Sequence, residues 1–142
     1  MAITARHMFG WEREKELKGK LQDHLGEYLE KTTWRYDSID FVSPSWVVEL
    51  KSRLPLDKNR KPQRPEGFET WLLPATKVEA AGASPLKGRF YYYWSWDSSL
   101  WYLDYEGVNW QEVYLSVPPW HTEPHYWVPR ELWKPVLPAE EA

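Results

Sequence analysis

Asp40, Glu49 and Lys51 are the residues of this sequence whose types and spacing can do chemistry. They lie in Tyr36–Arg53, YDSIDFVSPSWVVELKSR. There Ile39, Phe41, Val47, Val48 and Leu50 give strand character to two arms, and Ser43-Pro44-Ser45 gives the turn between them. With Pro44-Ser45 as a two-residue loop, Ser43 faces Trp46 and Asp40 faces Glu49. Val42, Val47 and Lys51 then share the face of the two acids, while Ile39, Phe41, Val48 and Leu50 form an apolar opposite face. One more loop residue would bring Asp37 to the Glu49/Lys51 face and turn Asp40 in among Val48 and Leu50, where an unpaired carboxylate is costly to bury. The first register is the expectation, with Asp37 the alternative to Asp40.

Two carboxylates within hydrogen-bonding range repel unless a proton or a cation lies between them. Hard oxygen donors with room for water suit Mg²⁺, or Mn²⁺ in its place. A cation held there would polarise a phosphate and lower the pKa of a bound water. Lys51 would orient that water or neutralise charge developing on phosphorus. The same acidic-x-lysine triplet also occurs as a surface salt bridge between Lys51 and its neighbours, and spacing alone leaves both readings open.

Asp40 followed by Glu49-Leu50-Lys51 at the end of an apolar strand resembles the PD-(D/E)XK nuclease superfamily, and IDF…VVELKSR is similar to small resolvase-like nucleases of phages and large DNA viruses. Upstream, Lys18-Gly19-Lys20-Leu21-Gln22-Asp23 resembles the opening of the first helix in archaeal-type Holliday junction resolvases, which carry a metal-binding glutamate where Asp23 stands. The resemblance spans roughly residues 15–96. Ile39 stands in place of the proline of the family's name, and Asp23, with its shorter reach, in place of the glutamate. The resemblance implies an α/β fold with a restriction-endonuclease-like core, a mixed β-sheet flanked by helices. It implies a metal-dependent DNA endonuclease that hydrolyses phosphodiester bonds, with a preference for branched DNA. Asp40 and Glu49 become its metal ligands, joined by the backbone carbonyl of Leu50 and by Asp23, and Lys51 its catalytic lysine. Viral relatives carry a lysine at the place of Lys77, which implies a nucleic-acid contact there. A homodimer is implied as well, because resolvases act on two strands.

At 142 residues the chain is one domain, with a core over about 10–105 and a C-terminal extension over about 106–142. It has no Cys, which removes disulfides and thiolate metal sites and makes a reducing cytoplasm the simplest compartment. The N-terminal MAITARHMFGWEREKE has no apolar signal core, no run approaches a membrane span, and the expectation is a soluble protein. The net charge of -3 does not announce a nucleic-acid binder, but its distribution matters more than its sum. From Lys51 to Arg64, six basic residues (Lys51, Arg53, Lys58, Arg60, Lys61, Arg64) face one acid, Asp57. Directly after the candidate site, Arg53, Lys58, Arg60, Lys61 and Arg64 are placed to hold DNA phosphates without reading sequence.

The elements that must position these residues follow in order. Leu17, Leu21, Leu25, Tyr28 and Leu29 recur at helical spacing over 10–31, with Gly19 as a break and Gly26 as a point of close packing. Trp34–Val42 and Trp46–Lys51 are the hairpin arms. Residues 54–74, punctuated by prolines, predict a loop, and Ala75–Ala81 a short helix stopped by Gly82. Arg89–Trp96, RFYYYWSW, predicts a central strand parallel to the second hairpin arm, because a crossover containing a helix separates them. Asp97-Ser98-Ser99 predicts a turn and Leu100–Tyr105 a returning strand. Beyond, the Pro- and Trp-rich chain predicts an aromatic wrap of extended segments with a helical turn near Arg130–Trp133. The 11 Trp and 9 Tyr are read chiefly as core, with base or sugar stacking as alternatives.

His121 and His125 have the spacing of paired zinc ligands, but Pro124 breaks the helix that would hold them together and no Cys or Glu completes the set. His7 and His24 have no evident partners. Two further functions compete with the nuclease: a catalytically silent nuclease fold with a structural or DNA-packaging role in a virion or nucleoprotein complex, and a carbohydrate-binding module.

Overall fold

The structure is a computed structural model and describes residues 16–32, 40–53, 68–94 and 97–137. Alternating side chains on two long strands, β3 (Trp46–Arg53) and β5 (Lys87–Trp94), divide it into layers. The two run parallel and in register, Trp46 beside Lys87 through Arg53 beside Trp94. Around them β1 (Glu30–Lys31), β2 (Phe41–Val42), β6 (Ser99–Asp104) and β9 (Lys134–Leu137) complete a six-stranded mixed sheet of order β1-β2-β3-β5-β6-β9. A smaller antiparallel sheet of order β4-β8-β7 is built from β4 (Thr70–Pro74), β7 (Tyr114–Ser116) and β8 (His125–Pro129).

On one face of the large sheet Val48, Leu50, Tyr91 and Tyr93 bury against Leu17 and Leu21 of α1, which is helical over residues 16–25, and against Leu29 and Phe41. On the other, Val47, Phe90, Tyr92 and Trp94 bury against Val78 and Ala81 of α2 (Ala75–Ala83) and against Trp71, Leu73 and Val128 of the small sheet. The aromatic strand therefore serves both cores, as its two-sided composition leads one to expect. The fold is α/β, with a mixed sheet flanked by helices. Among the described residues no helix is long and apolar enough to cross a membrane.

Four element expectations need correction. The first helix does not run to residue 31: Gly26 takes φ 80 and its N–H donates to the Gln22 carbonyl (2.8 Å), the left-handed ending that glycine adopts without a Cβ clash. Tyr28 and Leu29 follow outside the helix, and Gly19 does not interrupt it. Within the expected loop 54–74, Thr70–Pro74 is a strand, because Trp71, Leu72 and Leu73 are buried and pair with Val128, Trp127 and Tyr126. Gly82 does not stop α2, which continues to Ala83. A Cβ at Gly82 would come 2.5 Å from the Tyr105 hydroxyl, so the glycine serves close packing there.

The strands β7, β8 and β9, with a 3₁₀ turn at Arg130–Leu132, account for most of the region beyond residue 113. Residues 1–15, 33–39 and 54–67 lie outside the described set. Asp37, Ile39, Lys58, Arg60, Lys61, Arg64 and the side chain of Arg53 are therefore not placed.

Candidate functional site

The hairpin register follows the sequence pattern. Phe41 pairs with Val48 and Val42 with Val47, which sets Asp40 opposite Glu49, and the Ser43 N–H donates to the Trp46 carbonyl (2.9 Å) to close the Pro44-Ser45 turn. Glu27, at the end of α1, braces that turn from outside. Its carboxylate accepts from the hydroxyls of Ser43 (2.7 Å) and Ser45 (2.8 Å) and from the Ser45 N–H (2.9 Å). These bonds, the Ser43 hydroxyl foremost, hold its pKa below the ordinary carboxylate value.

Asp40 stands at the end of the short strand β2. Its Oδ2 accepts from the Leu50 N–H at 2.9 Å, and Lys31 Nζ lies 3.9 Å from Oδ1. A residue in a hydrogen-bonded antiparallel position turns N–H and C=O to the same side, so the Leu50 carbonyl also faces the strand that carries Asp40. Glu49, between Val48 and Leu50, points to the opposite face, toward α2, and is 7% exposed. Lys77 of α2 reaches it, Nζ to Oε1 3.4 Å, while Oε2 is buried with no hydrogen-bond partner. Burial and then the neighbouring Asp40 push the Glu49 pKa well above its ordinary value, with Lys77 acting in the other direction. A buried carboxyl thus stands beside a second carboxylate and one ammonium. Lys51, two residues on, shares the strand face of Glu49 and is half-buried.

Not every expected residue joins this group. Asp23 is exposed on α1, whose leucines pack on the sheet face away from Glu49. Among the described residues no group of three or more His, Cys, Asp or Glu is arranged to hold a metal ion. Two cations the pattern missed, or assigned elsewhere, stand beside the acids. Lys77 contacts Glu49, and Lys31 approaches Asp40. No spacing rule links residue 31 or 77 to residues 40 and 49, because each arrives on a different element. The donor set nevertheless fits a small divalent cation: a backbone carbonyl and two carboxylates, one of which has a buried oxygen lacking a partner.

A second polar group lies on the α1 face. Arg89 pairs with Asp104 (Nε–Oδ1 2.5 Å, Nη2–Oδ2 3.1 Å) and stacks between Trp46 and Tyr102 at 4.3 and 4.8 Å. His24 does have partners: its Nδ1 is 2.9 Å from the Tyr91 hydroxyl, and its ring lies 4.6 Å from Tyr102. Burial, then the Arg89 charge, lowers its pKa. His121 and His125 stack at 4.3 Å, and the buried His125 donates Nδ1–H to the Glu123 carbonyl (3.0 Å).

No family model and no curated protein matches this chain. A solved structure does: a nuclease from a fusselovirus, 16% identical, superposes with a TM-score of 0.56 over 96% of this chain and 90% of that one. The two share a fold. At that identity the likeness extends to the backbone architecture and assigns no side chain a role.

Proposed function

We propose that this protein is a divalent-metal-dependent DNA endonuclease of the PD-(D/E)XK type, acting on branched DNA in preference to plain duplex. The observation that carries the reading is the Asp40–Glu49 pair, with a buried carboxylate oxygen that has no partner. A solvated salt bridge has no use for such an atom, and burying it is unfavourable unless something is bound there. The fold likeness to a viral nuclease supports the same reading.

In this proposal Asp40, Glu49 and the Leu50 carbonyl hold Mg²⁺ or Mn²⁺. Bound there, the cation supplies Lewis acidity toward a phosphate oxygen and a bound water of lowered pKa. Lys51 orients the attacking water and offsets charge that develops on phosphorus. Arg53, Lys58, Arg60, Lys61 and Arg64 hold the phosphate backbone on either side. We also propose that the protein works as a homodimer. Exposed Tyr114, Leu115, Val117 and Trp120 support this.

The test is cleavage of supercoiled plasmid, linear duplex, single strand and a four-way junction with Mg²⁺, Mn²⁺ or EDTA. The expected outcome is metal-dependent cutting that is strongest on the junction and lost in Glu49→Ala and Lys51→Ala. Each variant should melt as a folded protein. A Lys51→Ala protein that cuts like the parent would remove the chemistry from this hairpin. A folded parent that cuts nothing would favour the structural or packaging role.

A further inference from the structure

Glu49 is met by a cation from the crossover helix. Helix α2 buries Ala75, Val78 and Ala81 in the core and carries Lys77 on its shoulder, with the side chain 26% exposed. The stem therefore lies along protein while the ammonium stands between the buried Glu49 and solvent. From there it touches Glu49 Oε1 at 3.4 Å, and its flexible four-carbon stem allows the ammonium to turn outward.

We propose that Lys77 is an exchangeable counter-ion. It pairs with Glu49 when no divalent cation is bound, and it passes to a phosphate of bound DNA when a divalent cation takes its place. The proposal rests on the metal-site reading given above. Charge balance is the reason. Asp40 and Glu49 supply two negative charges when ionised, which one divalent cation cancels. Repulsion from the bound cation then weakens the hold of Glu49 on Lys77. The anion able to restore balance is the phosphodiester itself. Lys77 is thus a DNA contact that becomes available when metal has bound, which couples the two ligands.

The coupling is measurable without turnover. Affinity for a fluorescent four-way junction and for linear duplex is measured by anisotropy in EDTA and in Ca²⁺, a hard oxygen-seeking cation, with the DNA checked to be uncut. Wild type, Lys77→Met and Lys77→Arg are compared, and calorimetry and melting report Ca²⁺ binding by the protein alone. The expected result is that Ca²⁺ tightens wild-type DNA binding and that Lys77→Met loses about tenfold of that gain, roughly the worth of one charge-assisted contact. In EDTA the variant should bind like wild type, and Lys77→Arg should retain the gain.

Lys77→Met should also melt lower than wild type in EDTA, since Glu49 has lost its cation. Equal losses in EDTA and Ca²⁺ would make Lys77 a permanent phosphate contact and overturn the exchange. An unchanged DNA affinity in both conditions would make it a structural partner of Glu49 and overturn it too. A wild type that shows neither Ca²⁺ heat nor a Ca²⁺-dependent melting shift would instead overturn the metal-site reading, and the exchange with it. The two failures are therefore distinguishable.

Discussion

At the scale of residues, the acid pair was legible because strand alternation is strict. Once Pro44-Ser45 closes the turn, the period of two puts Asp40 and Glu49 side by side, and the apolar set Phe41, Val48 and Leu50 permits no slip. Lys31 and Lys77 were not legible as site residues, because nothing local relates them to the hairpin. Their proximity is made by the sheet edge and by the crossover. The raised pKa of Glu49 gives a test of the pair in EDTA. Its folded value lies above its unfolded one, so the folded protein holds a proton that the unfolded chain releases. The stability this contributes is present below the ordinary carboxylate pKa and is lost as pH rises through the folded value. Glu49→Gln keeps the shape and cannot ionise. In urea titrations of the metal-free protein it should match the parent near pH 4 and exceed it by about 1 kcal/mol or more at pH 8. A parent whose stability rises over that range as much as the variant's would show that Glu49 ionises freely in the fold.

At the scale of elements, the parallel pair and its crossover followed from an aromatic strand separated from β3 by a helix, and the right-handed βαβ rule supplied the rest. Two elements escaped. The strand β4 carries a proline at its end and follows a Pro-rich stretch, so its local chemistry signals a loop. Burial of Trp71, Leu72 and Leu73 against β8 overrides that signal. The end of α1 was misplaced because Tyr28 and Leu29 continue the helical spacing, yet Gly26 turns the chain at φ 80. That turn brings Glu27 to the Ser43–Ser45 corner and Lys31 to Asp40. A Cβ at Gly26 would meet no other atom within 4 Å, so strain in the backbone is what a substitution adds. Gly26→Ala should cost about 1–2 kcal/mol, the penalty of a left-handed conformation for an L residue. Chemical denaturation would measure it. A loss near zero would mean that the helix can end another way.

At the scale of the molecule, basic and apolar stretches are segregated along the sequence. Basic residues cluster between Lys51 and Arg64, whereas residues 106–129 hold Glu106, Glu112 and Glu123 and no Lys or Arg. That second stretch carries exposed Tyr114 (66%), Leu115 (46%), Val117 (51%) and Trp120 (65%), with Trp127 packed between Tyr114 and Trp120. Phosphates require cations, and aliphatic Leu115 and Val117 offer bases no stacking face, so this surface suits protein better than nucleic acid. Its strand β7 lies at the edge of the small sheet, with no strand beyond it among the described residues. Two copies paired antiparallel about Leu115 would set Tyr114 opposite the second copy's Ser116, Val113 opposite its Val117 and Glu112 opposite its Pro118, so no like charges meet. Covering the four exposed side chains on both copies would remove roughly 900 Å², near the lower limit for a specific interface and consistent with a weak dimer. Sedimentation should therefore show a concentration-dependent dimer in the micromolar range. Leu115→Lys should shift it to monomer, because burying two unpaired ammonium groups outweighs an edge pairing three residues long. Glu49→Gln, on a strand of the large sheet, should leave the equilibrium unchanged. A parent that stays monomeric to hundreds of micromolar would refute this pairing and leave the aromatic face to a different protein.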